Sequence, residues 1–153
     1  MHLSNKNIFV IAEIGHNHMG DIKEAFNLIE SAKKCGADAV KFQKRDNKFL
    51  YTKKFYNTLY DNPNSYGRTY GEHREFLEFG KKEYIKLIKF SKKIGIKLFA
   101  TPFDFKSVKF LEKLRMPFYK IASADLTNTP LQVEVAKTGK PVILSTGGGT
   151  FKD

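Results

Sequence analysis

The chain is poor in cysteine, in acidic residues and in long apolar runs, and each shortage removes a class of explanation. A single thiol, Cys35, has no partner for an internal disulfide. The fold must therefore rest on packing, and this cysteine usage suits a reducing compartment, so a cytoplasmic location is expected. No stretch reaches the roughly 20 apolar residues that cross a bilayer, and no membrane partner is expected. Residues 1–7 lack a long apolar segment ahead of a cleavage site, which argues against a signal peptide. Neither G-x-G-x-x-G nor a P-loop occurs, although the glycines at 147–149 follow a strand pattern and could cradle a phosphate. Internal repeats and low-complexity tracts are missing as well. What is present is Phe, Tyr, Ile and Leu from end to end, which excludes disorder, in 153 residues, enough for a domain core.

The acidic shortage leaves 16 Asp and Glu against 27 Lys and Arg, a formal charge of +11. Such an excess invites a nucleic-acid reading. Its distribution argues otherwise. Lysines at 81, 82, 86, 89, 92, 93 and 97 interleave with Tyr84, Leu87, Ile88 and Ser91 at helical spacing, the pattern of a solvated helix face. No nucleic-acid partner is expected, whereas attraction of small anions fits.

Strand and helix patterns alternate five times. Residues 8–14, 39–43, 97–103, 118–123 and 141–146 read as strands. Between them, helices are expected over 22–35 with Asp21 as N-cap and Gly36 as stop, 81–94 with Gly95 as stop, 106–115, and 131–138 after Pro130. Cys35, on the apolar face of the first helix, reads as a small core residue. Strands apolar on both faces and separated by helices imply a parallel α/β sheet. The connection from Lys44 to Gly80 is far longer than a usual strand-to-helix loop and reads as a lid, a subunit contact or a disordered insertion.

The polar residues collect at the C-terminal ends of the strands: Glu13; Lys41 and Gln43; Thr101; Lys120 and Ser123; Ser145 and Thr146. Lys41 and Gln43 alternate with Val40 and Phe42, so they share one face. That face cannot be the helix-covered one, where an unpaired ammonium would be costly, so it lines a cavity. Two lysines with the hydroxyls of Thr101, Ser123 and Ser145 suit a small anion bearing phosphate or carboxylate. Glu13 is then the acid/base or positioning candidate among basic neighbours. His16-Asn17-His18 could ligate a metal but lacks a third ligand at diagnostic spacing. Tyr70-Gly71-Glu72-His73 reads equally well as a surface turn.

The segments AEIGHNHMGD (12–21), GADAVKFQK (36–44), YGRTYGEHREFLEF (66–79), FATPFD (99–104), PFYKIASAD (117–125) and GKPVILSTGG (139–148) resemble the sialic acid synthase family. The resemblance covers nearly the whole chain after Asn7, and YGEH leans toward the neuraminate(-9-phosphate) branch. It implies a (β/α)8 TIM barrel, of which 1–153 would supply about the first five βα units. It also implies a transferase that condenses phosphoenolpyruvate with N-acetylmannosamine or its 6-phosphate and releases phosphate in sialic acid biosynthesis. Phosphoenolpyruvate contacts would fall on Lys41, Thr101, Lys120, Ser123 and Ser145, and amino-sugar contacts on Gln43 and Asp125. Glu13 would be the catalytic carboxylate, and Asn17 and His18 first-loop contacts. A divalent metal, Mn²⁺ or Mg²⁺, is implied, with its family histidines beyond Asp153. Beyond it too would lie the C-terminal antifreeze-like domain through which family homodimers close their sites.

Other readings stand beside this one. They are a legionaminate, pseudaminate or spore-coat polysaccharide synthase, a truncated inactive fragment, a Schiff-base aldolase using Lys41 or Lys120, and a basic nucleic-acid module. Five of eight barrel strands would leave an unpaired sheet edge after the fifth.

Overall fold

The computed structural model describes residues 8–150 and Lys152. Five strands, β1 (Ile11–Gly15), β2 (Ala39–Lys44), β3 (Lys97–Pro102), β4 (Tyr119–Ile121) and β5 (Val142–Leu144), form one sheet in the order β1-β2-β3-β4-β5. Every neighbouring pair is parallel. Strand order never reverses, as it would in a doubly wound sheet, and this is the winding of a parallel barrel wall.

Helices α1 (Ile22–Lys34), α5 (Lys81–Ile94), α6 (Phe105–Lys113) and α7 (Thr129–Ala136) connect the strands. Local chemistry sets their ends. Asp21 accepts from the backbone N–H of Lys23, Asp104 from that of Ser107, and Asn128 from that of Leu131. Gly95, at φ 72°, ends α5 in a left-handed turn that a side chain would strain. Tyr84, Leu87 and Ser91 of α5 are buried while its lysines face water, as the spacing predicts.

Two apolar clusters lie on opposite faces of the sheet. The larger joins Val40, Phe42, Leu98, Ala100, Tyr119 and Ile121 to the helices. The smaller joins Ala39, Phe99 and Phe118 to Phe9, Ile11 and Ile143. Burying a Phe or Leu fully stabilises by about 1.5–3 kcal/mol, so the alternation along each strand fixes which residues face which way. The second face is apolar only in its N-terminal half. Two residues further along the same strands come Glu13, Lys41, Thr101, Lys120 and Ser145.

Several expectations change. The Lys44–Gly80 connection is ordered: α2 (Asn47–Leu50), α3 (Lys53–Tyr56) and α4 (Tyr70–Leu77) fill it, with an antiparallel bridge between Leu59 and Thr69. Thr69 and Glu72 form a capping box, so the YGEH segment opens a helix rather than a surface turn. Cys35 is exposed, because the chain leaves α1 at this residue and carries it off the buried face. Ser123 belongs to a short 3-10 turn, Ser123–Asp125, beyond the end of β4. No described helix is long and apolar enough to cross a membrane.

Candidate functional site

Register brings the strand-end residues together. Glu13 pairs with Lys41 across β1 and β2, and Gln43 with Thr101 across β2 and β3. Lys41 Nζ lies 2.9 Å from Glu13 Oε1 and donates to Thr101 Oγ1, also at 2.9 Å. The lysine side chain is 6% exposed, but that of its glutamate partner is 59% exposed. The cation is thus buried while its counter-charge stays in water.

Lys120 stands beside this pair. Burial holds its ammonium below the usual lysine range, the charge of Lys41 lowers it further, and Glu13 opposes both. Its Nζ donates to the carbonyl of Ile121 at 2.7 Å, and the backbone N–H of Ser145 reaches the same carbonyl at 3.1 Å. Ser123 faces the loop after β5, where a Cβ on Gly147 would stand 3.7 Å from its own. Lys41, Glu13 and the Thr101 hydroxyl are thus in contact, with the Lys120 ammonium near enough to feel the first two charges.

The remaining candidates make contacts of their own. Asp125 Oδ1 accepts from Asn128 Nδ2 at 3.0 Å, so its carboxylate is tied to the turn before α7. Asn17 is exposed in the loop after β1. His18, expected as a first-loop contact, is buried. Its ring is 1% exposed, stacks on Phe79 at 4.0 Å, and accepts the Gly20 N–H on Nδ1. Burial, aided by His16, lowers its pKa to about 4, so it packs as a neutral ring.

A second network, absent from the sequence reading, binds the long connection to the sheet. Glu78, 5% exposed, accepts from Lys44 Nζ at 3.0 Å and from the Arg45 backbone N–H at 3.2 Å. Its Oε1 faces His16 Nε2 at 3.2 Å. Arg74 Nη2 lies 3.1 Å from His16 Nδ1. Arginine only donates, so Nδ1 carries the lone pair and Nε2 the proton. Burial would raise the Glu78 carboxyl, but His16 and Lys44 outweigh it and hold it below the usual range. The only sequence cue was a Glu closing the quoted motif between two apolar residues. Among the described residues no three His, Cys, Asp or Glu side chains are grouped to hold a metal.

A singly wound parallel sheet with lysines at its C-terminal strand ends defines a barrel-type α/β protein. Comparison with known proteins makes this particular. The profile of the NeuB family matches residues 28–153, and the chain belongs to that family. It is 43% identical over 139 residues to the N-acetylneuraminate-9-phosphate synthase of Mus musculus, covering 91% of this chain and 39% of that protein. It is 38% identical over 143 residues to the N,N'-diacetyllegionaminic acid synthase of Campylobacter jejuni, covering 93% and 43%. The crystal structure of N-acetylneuraminic acid (sialic acid) synthetase from Leptospira borgpetersenii in complex with citrate superposes with a TM-score of 0.79 at 33% identity, over 97% of this chain and 47% of that one. The chain thus spans about two fifths of the curated relatives it matches.

Proposed function

We propose that this chain carries the phosphoenolpyruvate half-site of a synthase that joins phosphoenolpyruvate to N-acetylmannosamine, or its 6-phosphate, with release of phosphate. The observation that carries this reading is the buried Lys41, ion-paired to the solvated Glu13, with the Lys120 ammonium near enough to feel both charges. A phosphate or carboxylate group supplies the missing negative charge, and citrate bound to the Leptospira relative is an anion of the same kind. Lys41 and Lys120 hold the anionic groups, with hydroxyls of Thr101, Ser123 and Ser145 as further ligands. Glu13, open to solvent yet hydrogen-bonded to Lys41, moves a proton or orients water at the reacting carbons. Gln43 and Asp125 contact the amino sugar.

The divalent cation, Mn²⁺ or Mg²⁺, belongs to this proposal but finds no ligand set among the described residues, so no step here depends on it. A homodimer and a cytoplasmic location complete it. Calorimetric titration of this chain with phosphoenolpyruvate tests the half-site: micromolar-to-millimolar binding that weakens in Lys120→Ala is expected, and no binding sinks the proposal. Turnover by the chain alone, with both substrates and Mn²⁺, separates a self-sufficient enzyme from an inactive fragment.

The lowered basicity of Lys120 favours one second reading, a Schiff-base aldolase with this amine as nucleophile. Borohydride trapping of a pyruvyl adduct on Lys120 would establish it. Phosphate release without trapping would exclude it.

A further inference from the structure

Gln43 lies where the strand-end site meets the buried network. Its Oε1 stands 2.7 Å from Arg45 Nη1. A guanidinium has donors and no acceptor, so the atom it meets must be the carbonyl oxygen of the amide. The NH₂ end is left free, and it is turned toward β1, where a Cβ on Gly15 would come within 3.5 Å of Nε2. Gly15, at φ +56°, lets β1 end in a conformation that keeps this approach open.

Arg45 is held on several sides. Its guanidinium carbon lies 3.6 Å from the centre of the Phe103 ring. Its backbone N–H donates to Glu78 Oε2, and Nη1 is 4.0 Å from Glu78 Oε1. The side chain is 11% exposed. A planar cation clamped between an aromatic face and a buried carboxylate cannot swing away from the amide it meets. The Tyr84 hydroxyl, donating to the Gln43 carbonyl at 2.9 Å, fixes the backbone at the same residue.

We propose that Arg45 is a positioning residue that locks the Gln43 carboxamide with its oxygen inward and its NH₂ outward. The subsite then presents a donor and selects ligands offering an acceptor oxygen, such as an acetamido carbonyl or a sugar hydroxyl. The selection rests on the place of Gln43 in the amino-sugar subsite proposed above; the lock itself does not. Lysine cannot replace Arg45 fully, because an ammonium lacks the flat face that rests on Phe103.

The experiment has two arms on the ¹⁵N-labelled chain. In the first, the Gln43 side-chain NH₂ signals are compared between wild type and Arg45→Met without ligand, with circular dichroism confirming the fold. One sharp pair in wild type, shifted or doubled in Arg45→Met, is the expected result, and unchanged signals overturn the lock. In the second, N-acetylmannosamine and phosphoenolpyruvate are titrated separately. Arg45→Met is expected to raise the Kd for the sugar by about fivefold or more and to leave that for phosphoenolpyruvate within about twofold, with Arg45→Lys between. Gln43→Glu, which replaces the donor by an oxygen, should abolish the sugar selectivity. Equal weakening of both ligands, or of neither, overturns the selection. A wild-type chain that ignores the sugar removes the subsite and the selection, while the amide signals still decide the lock.

Discussion

Glu13 and Glu78 are both carboxylates facing lysines at the C-terminal ends of strands, yet they sit in opposite physical situations. Glu78 is buried and surrounded by Lys44, His16 and the Arg45 backbone. Glu13 is mostly in water and has one cationic partner, Lys41, which is itself buried. A buried carboxylate with its donors in place holds structure, and removing its charge leaves cations stranded. A solvated carboxylate beside two crowded ammoniums leaves charge to be satisfied by something else. The contrast separates the part of the molecule that fastens the long connection from the part where the proposed anion site lies.

The largest effect is expected at the fastening. Glu78→Gln should cost about 3–5 kcal/mol of stability in urea denaturation, because Lys44 loses its buried counter-charge. A loss below about 1 kcal/mol would erase the distinction between the two glutamates. Lys41→Met should act the other way round. Phosphoenolpyruvate binding should weaken about 100-fold by calorimetry. Stability should stay within about 1 kcal/mol, since Glu13 keeps its water and Lys120 loses a repelling neighbour.

Lys120→Ala should weaken the same binding about tenfold, and Lys89→Ala, on the solvated face of α5, by less than about twofold. Equal effects would show that the strand ends carry no special role. The smallest effect concerns pH. His18 is lowered to about 4 in the fold, so the unfolded chain takes up its proton first. Its contribution is complete above the ordinary histidine range near 6.5 and is lost as pH falls toward 4. Midpoints of urea unfolding measured between pH 7 and 4 should fall less steeply in His18→Phe than in wild type. An unchanged slope would mean that His18 titrates alike in the folded and unfolded chain.

Much of this was legible in the chain. The alternation Val40-Lys41-Phe42-Gln43 placed both polar residues on one face, and strand periodicity alone suffices for that. Asp21, Asp104 and Gly95 mark helix ends through chemistry confined to a few neighbouring residues. The connection from Lys44 to Gly80 was not legible, because its helices are short and owe their stability to contacts rather than to propensity. Tyr66 stacks on Phe76, and Tyr70 packs against Tyr51, Phe55 and Tyr60, pairs that no local pattern announces. The burial of His18 was not legible for a related reason. Phe79, 61 positions away, covers its ring.

Strand and helix alternation, read with the shortage of cysteine and long apolar runs, determined the class of protein: a packed α/β chain with lysines at its strand ends. Periodicity and helix caps are properties of neighbours along the chain, so the sequence by itself carries them. Which glutamate is buried and which is solvated depended on side chains that meet across the fold. Only the tertiary structure decided this, because burial and hydrogen-bond direction are set by partners far apart in the sequence.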